Sequence, residues 1–254
     1  EIAYAKAKGI PVSTAAKKYS IDQSIWGRSI ECGVLEDASK EPPEDAFEWT
    51  VAPEKAPNTP EYVTIKFDAG VPVAVNGKKL KPLALIELLN ETAGKHGVGR
   101  IDHIEDRLVG IKSRENYECP AATVLLEAHK DLEKMVLTRH EVLFKQQIDA
   151  EWTFLAYAGL WMDPLREDLE AFINKTQENV HGEVQVKLYK GGLQIVGRSS
   201  PMSLYDQNLV NYNIKTGFNP AYSKGFIELW GLQTRMHNML KRKAKKQKTT
   251  KGGA

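Results

Sequence analysis

The stretch from Gly94 to Glu118, GKHGVGRIDHIEDRLVGIKSRENYE, places closely spaced glycines beside many charged side chains. Glycines let the backbone approach a ligand closely, as in loops that hold phosphate groups. Helical patterns flank the stretch, which predicts a long charged loop between two helices, and loops of that length usually have a function. Its ten charged residues are Lys95, Arg100, Asp102, Glu105, Asp106, Arg107, Lys112, Arg114, Glu115 and Glu118.

The common catalytic patterns do not fit this sequence. Gly94 to Gly99 is not followed by the Lys and Ser or Thr that GxxxxGK[ST] requires, and Gly97-Val98-Gly99 lacks the third glycine of GxGxxG. There is no GxSxG and no CxxC pair, and no PCxxC follows His181-Gly182-Glu183. These absences argue against a phosphate loop in this stretch, a serine nucleophile and a zinc site.

Two interpretations remain for the charged side chains. Acids and bases are interleaved, so most of them are expected to form ion pairs that order the loop. Glu105, however, follows the glycines closely, and Tyr117 lies twelve residues later. A carboxylate and a phenol that converge on a pocket suit a zwitterionic amino acid, because a charge-assisted hydrogen bond to its ammonium group contributes about 1.5–3 kcal/mol.

The elements that must position these residues mix strands and helices. Alternating apolar residues predict strands over Tyr62–Leu80 with turns at Asp68-Ala69-Gly70 and Asn76-Gly77, the second a hairpin turn. A second hairpin is predicted to turn at Gly191-Gly192. Residues 20–50 lack periodicity and predict loop and short helix. The sequence therefore predicts the α+β class, with antiparallel hairpins and packed helices. Helical spacing predicts four helices, which begin at Pro82, Pro120, Thr138 and Pro164.

The two ends of the chain predict separate units. Residues 1–18 begin as the last turns of a helix, and Gly9 and Ile10-Pro11-Val12 then predict an extended segment, as at the end of an α/β nucleotide-binding domain. Residues 19–224 form the predicted main domain. Residues 225–254 predict an amphipathic helix with a basic tail, which packs either on a neighbouring subunit or on its own core.

Composition sets limits on the class of protein. The 254 residues carry a formal net charge of +2, and the seven basic residues of Lys241–Lys251 account for more than all of it, since removing them leaves −5. The body is thus not a natural nucleic-acid surface, although the tail alone suits a polyanion. Two separate cysteines, Cys32 and Cys119, favour a reduced protein without disulfides. No run of 18 apolar residues predicts a membrane span.

Several long segments resemble the argininosuccinate synthase family. They are YSIDQSIWGRSIECGVLED, AGKHGVGRIDHIEDRLVGIKSRENYE, AYAGLWMDPLREDLEAFI, VQVKLYKGGLQIVGRSSPMSLYD and GFIELWGL, and they occur in the family's order over residues 1–232. The resemblance implies a ligase that joins citrulline to aspartate through a citrullyl-adenylate, consumes ATP with Mg²⁺, and releases AMP and pyrophosphate. It further implies a homotetramer assembled through the C-terminal helix, and a cytoplasmic location with a plastid as the alternative.

The resemblance also implies four citrulline-binding residues. Two serines nine residues apart match Ser20 and Ser29, and a glutamate and a tyrosine twelve apart match Glu105 and Tyr117. Glu105 would receive the α-ammonium group, while the hydroxyls would bond the other polar groups of citrulline. No residue is expected to act as a protein nucleophile or base, because phosphoryl-type transfer depends mainly on positioning and electrostatics.

The sequence departs from the family at a few points. The family's pyrophosphate loop SGGLDTS is absent, so no ATP-binding residue is expected in this chain. Ser24 stands where Asn is common, and Cys119 is expected to be a small buried side chain. A fragment that is inactive alone and acts as a binding or oligomerisation module is therefore the alternative. A polyanion-binding protein that uses the basic tail is a weaker one.

Overall fold

A computed structural model describes residues 2–11, 18–210, 217 and 219–251. Within these ranges the chain divides into two compact units, Glu1–Leu204 and Tyr205–Ala254. The helices and strands form an antiparallel α+β fold, which confirms the predicted class. The extended segment predicted after Pro11 lies outside the described residues. The domain limits 1–18, 19–224 and 225–254 stay predictions.

The larger sheet has five antiparallel strands in the order β5-β4-β3-β8-β9. Apolar residues alternate along β3 and β8, so one face of the sheet carries the core residues Ile65, Phe67 and Val184. Leu89 of α2 and Val124 of α3 belong to the same buried core. The strands are β3 (Glu61–Asp68), β4 (Val71–Val75), β5 (Lys78–Lys79), β8 (Gly182–Tyr189) and β9 (Gly192–Ser199), and the helices are α2 (Pro82–Lys95) and α3 (Pro120–Val136).

Both predicted hairpins are confirmed in this sheet. Asn76 and Gly77 have positive φ of 49° and 77°, as the tight turn between β4 and β5 requires. The second turn is displaced by one residue from the prediction, because Lys190 and Gly191 adopt φ of 46° and 80° while Gly192 already begins β9. The predicted Gly191-Gly192 turn is therefore corrected to Lys190-Gly191.

The smaller sheet has four antiparallel strands in the order β1-β2-β7-β6. It corrects two expectations. The charged stretch is a hairpin of β6 (Arg100–Asp106) and β7 (Lys112–Glu118), not a loop between helices. Residues 20–50 contain β1 (Ser20–Gln23) and β2 (Arg28–Glu31) besides short 3-10 helices. Apolar alternation failed to indicate these strands because their faces carry mainly charged and polar groups.

The remaining helices follow the predicted start signals. Thr138 caps α4 (Arg139–Tyr157) in a capping box, in which Glu141 N donates to Thr138 Oγ1 over 3.3 Å and Thr138 N donates to Glu141 Oε2 over 2.8 Å. Pro164 opens α5 (Pro164–Gln177) behind the cap Asp163. A short helix, α1, precedes the main body at Ile2–Ala7.

The second unit is helical where it is described. It contains α6 (Gln207–Val210), α7 (Tyr222–Trp230) and α8 (Leu232–Lys251). The single C-terminal helix predicted from Gly225 is two helices, since the residue between them, Gly231, ends α7. None of the helices described in either unit is long and apolar enough to cross a membrane.

Candidate functional site

The register of the smaller sheet brings the four predicted site residues to one face. Ser20 pairs with Glu31 across β1 and β2, and Ser29 pairs with Tyr117 across β2 and β7. Glu105 on β6 pairs with Ser113 on β7. Directly paired residues share a face of an antiparallel sheet, as do residues two apart on one strand. Ser20, Ser29, Glu105 and Tyr117 therefore line the same surface, which we call the serine face.

Glu105 and Tyr117 are joined directly. The Tyr117 hydroxyl donates a hydrogen bond of 2.7 Å to Glu105 Oε2. Burial and, secondly, the neighbouring Glu105 carboxylate raise the pKa of Tyr117 well above its usual value of 10. The phenol thus stays protonated at physiological pH and fixes one carboxylate oxygen.

Glu105 differs from every other acid in the charged stretch. Asp102, Asp106, Glu115 and Glu118 each form an ion pair with an arginine or lysine. Among the described residues, no Lys, Arg or His nitrogen lies within 4.0 Å of the Glu105 carboxylate. A half-buried carboxylate without a protein cation can accept one from a ligand.

The predicted ion pairs of the basic residues are confirmed. All five bases of the stretch are paired, although they order a hairpin and not the expected loop. Arg100 forms a double hydrogen bond to Glu44, and its guanidinium lies 4.0 Å from the centre of the Phe47 ring. The other four pairs are Lys95 with Glu61, Arg107 with Glu31 and Glu115, Lys112 with Asp106, and Arg114 with Asp102.

The opposite face of the sheet is closed by a buried ion pair. Arg28 Nη1 lies 2.9 Å from Glu118 Oε2, and both side chains are almost fully buried. Glu118 also accepts hydrogen bonds from the backbone amides of residues 48–50 and from the Thr50 hydroxyl. Because Arg28 is on β2 and Glu118 on β7, this cluster fixes the pairing that places Ser29 beside Tyr117.

The glycines before β6 serve packing. A Cβ on Gly94 would lie 2.1 Å from the Trp49 carbonyl oxygen, and one on Gly97, which has φ of +72°, would lie 2.6 Å from that of Val51. Gly99 has φ of +104° and its backbone is in close contact with Pro120. The glycines therefore allow backbone to pack on backbone, and a phosphate cradle is not needed to explain them.

The remaining candidates do not form a second reactive site. Cys119 is half-buried, not fully buried as expected, and burial raises the pKa of its thiol, which disfavours the nucleophilic thiolate. Ser24 lies in the turn between β1 and β2, where its Oγ accepts a hydrogen bond from Trp26 N. His181 contacts Asp68. In the described ranges, no three His, Cys, Asp or Glu side chains are grouped to hold a metal ion.

Sequence reasoning missed three residues on the serine face. Arg107 Nη2 lies 3.3 Å from Glu31 and 3.4 Å from Glu115. Burial, and then the neighbouring Glu31 carboxylate, raise the pKa of Glu115. Glu31 follows Ser29 by two residues and Glu115 precedes Tyr117 by two, so strand periodicity would have placed both there. That signal was lost because β2 and β7 were not predicted as strands.

Comparison with known proteins identifies the family of this chain. The family model described as "Arginosuccinate synthase C-terminal domain" matches residues 19–237. A curated argininosuccinate synthase from Pyrococcus furiosus is 59% identical over 241 residues, which cover 94% of this chain and 58% of the relative. Those from Methanopyrus kandleri and Methanosarcina mazei are 54% and 56% identical, each with 93% of this chain and 60% of the relative covered. The chain belongs to the argininosuccinate synthase family, and it spans about three fifths of the length of these curated relatives.

Proposed function

We propose that the complete protein ligates citrulline to aspartate, and that this chain supplies the face that binds citrulline. The observation that carries the proposal is the state of Glu105. It lacks a basic partner among the described residues, is fixed by Tyr117, and shares its face with Ser20 and Ser29. Family membership supports the same reaction class.

Each group on the face has a role in this proposal. Glu105 accepts the α-ammonium group of citrulline, a charge-assisted contact of about 1.5–3 kcal/mol. The Tyr117 hydroxyl holds Glu105 through the 2.7 Å hydrogen bond, and its oxygen also contacts a polar group of the substrate. Ser20 and Ser29 bond the carboxylate and other polar atoms. The chain would thus bind one amino acid and aim its ureido group at the nucleotide.

The reaction would then need no protein nucleophile. The ureido oxygen of citrulline attacks the α-phosphorus of ATP, and pyrophosphate leaves. The aspartate amine next attacks the ureido carbon of the citrullyl-adenylate, loses its proton, and AMP leaves. Both nucleophiles belong to the substrates, so the protein contributes position and electrostatic stabilisation. The raised pKa of the Cys119 thiol agrees with this division of roles.

The proposal places the ATP and Mg²⁺ contacts outside the described part of this chain. No acidic or histidine group among the described residues fits a metal ion, and the sequence contains no SGGLDTS loop.

A turnover assay on the complete protein tests the proposal. With ATP, citrulline and aspartate together, pyrophosphate and argininosuccinate should form, and omission of any one substrate should stop argininosuccinate formation. A complete protein that forms neither product would contradict the ligase. If it still self-associates, the result would favour the alternative of a binding or oligomerisation module.

One observation supports self-association. The second unit exposes large apolar side chains on α7 and α8, where Phe226 stacks on Trp230 and both are more than half exposed. Exposed apolar groups of this density indicate a protein contact. We propose that these helices contribute to a homotetramer. Removal of residues 232–254 should lower the number of subunits per particle, which light scattering gives from the native mass. An unchanged number of subunits would contradict the proposal.

A further inference from the structure

Arg107 is well placed to neutralise Glu105, and it does not do so. It follows β6 directly, and its Nε donates a 3.1 Å hydrogen bond to Ser113 Oγ. Ser113 is the residue paired with Glu105 across the two strands. The Arg107 guanidinium therefore already touches the nearest cross-strand neighbour of Glu105.

The distance between Arg107 and Glu105 is within the reach of an arginine. Directly paired residues have Cβ atoms about 4.5–5.5 Å apart, so a group in contact with one reaches the other by a change of rotamer. The side chain of Arg107 is 49% exposed and has room to move. Arginine binds carboxylates through two parallel hydrogen bonds, which makes it a strong competitor for any ligand ammonium group.

Two carboxylates hold the guanidinium elsewhere. Arg107 Nη2 lies 3.3 Å from Glu31 Oε2 and 3.4 Å from Glu115 Oε1. Glu31 and Glu115 lie on adjacent strands, β2 and β7, and both approach the same nitrogen of Arg107. Glu115 is largely buried and Glu31 partly so, which means that the pair needs a cation nearby. The two carboxylates thus hold the Arg107 guanidinium, and the guanidinium in turn stabilises the two carboxylates.

We propose that Glu31 and Glu115 are positioning residues that hold Arg107 away from Glu105, so that the Glu105 carboxylate stays open to the ammonium group of the substrate. This inference rests on the proposed function and refines it. It makes Arg107 a cation that is kept out of the binding site, and it gives the missed residues of the serine face a shared role.

The test uses the complete protein with the double variant E31Q/E115Q. Once released, Arg107 should compete with the ammonium group of citrulline for the Glu105 carboxylate and raise the KM for citrulline about tenfold. The kcat should change less than about twofold. Adding R107Q to the double variant should return KM to within about threefold of the wild type, since the competitor is gone. D106N is the matched control, because Asp106 is a carboxylate of the same hairpin on the other face, paired with Lys112.

Restoration of the KM in the triple variant distinguishes a positioning role of Glu31 and Glu115 from a purely structural one. A triple variant with the same KM as the double variant would overturn the proposal, and so would a tenfold higher KM for R107Q alone, which would make Arg107 a substrate contact. If the double variant does not fold, E31Q alone serves, because Glu31 is the more exposed partner. It should raise KM about threefold and be rescued in the same way.

A structural measurement keeps this inference distinct from the proposed function. In a crystal structure or an NMR titration of arginine Nε groups, E31Q/E115Q should move the Arg107 guanidinium onto Glu105, with or without turnover. A guanidinium that stays on Ser113 would overturn the inference even if the ligase activity is found. A wild-type protein that does not use citrulline would defeat the proposed function whatever Arg107 does.

Discussion

The two faces of the four-stranded sheet use the same residue types for different purposes. On one face, Arg28 and Glu118 are buried together, and the carboxylate is surrounded by donors from residues 48–50. On the serine face, Glu105 has a phenol as its partner and no cation among the described residues. A carboxylate whose oxygens all accept hydrogen bonds from the protein stabilises the fold. A carboxylate with only one protein donor is available to a ligand.

The largest effect should be a loss of stability when the buried Glu118 carboxylate is removed. Glu118→Ala leaves Arg28 buried without its main partner and frees the amides of residues 48–50, so the free energy of unfolding should fall by about 3–5 kcal/mol in chemical denaturation. Glu48→Ala is the control, because Glu48 also contacts Arg28, over 3.0 Å, but its side chain is 64% exposed. It should cost no more than about 1 kcal/mol. Equal losses in the two variants would show that burial of Glu118 adds nothing to the stability of the Arg28 cluster.

The serine face should respond in binding and not in stability. Glu105→Gln removes the charge that would meet the substrate ammonium group, and the KM for citrulline should rise between about tenfold and a hundredfold. The KM for ATP should change less than about threefold, since Glu105 is proposed to contact citrulline alone. Steady-state kinetics with each substrate varied in turn measures both. An unchanged citrulline dependence would remove Glu105 from the site.

Tyr117→Phe tests the partner of Glu105 and should have a smaller effect. Loss of one neutral donor to a charged acceptor should raise the KM for citrulline about fivefold. Because the pKa of Tyr117 is raised above its usual value of 10, ionisation of this phenol should not weaken citrulline use between pH 7 and about 9.5. A wild-type KM that rises in this range, and does so less in Tyr117→Phe, would contradict the assigned protonation state.

The smallest effect belongs to the ion pair between Arg114 and Asp102 in the same hairpin, in which only the Asp102 side chain is substantially exposed. The hydrogen bond from Arg114 lowers the pKa of Asp102 below 3.8, so the pair adds stability above that pH and loses it as pH falls through the folded-state pKa. The Asp102 side chain is 45% exposed, which limits the contribution at neutral pH to about 1 kcal/mol or less. The unfolding free energy of Asp102→Asn should differ from that of the wild type at pH 7 and converge with it as the pH falls through the folded-state pKa of Asp102. A difference in unfolding free energy between the two proteins that grows as the pH falls would contradict this prediction.

The sequence predicted the five-stranded sheet well and the four-stranded sheet poorly, for one physical reason. Val63, Ile65 and Phe67 alternate with polar residues because one face of β3 packs on the apolar core. In β6, the apolar residues Ile101 and Ile104 are three positions apart and stand among charged and polar residues, so no period of two marks the strand. The site residues were accessible only through their spacing, nine and twelve residues, and through the family resemblance. The position of Arg107 followed from three-dimensional contacts alone.

The order of strands along the chain has a consequence for how the protein folds. The chain builds β1 and β2 of one sheet, then β3 to β5 of the other, returns for β6 and β7, and finally adds β8 and β9. Arg28 and Glu118, whose pairing sets the serine face, are 90 residues apart. Contacts of such separation raise the contact order and slow folding, because long loops must close before the contacts form. A ribosome must therefore deliver the chain through Glu118, more than half of the first unit, before the serine face can form.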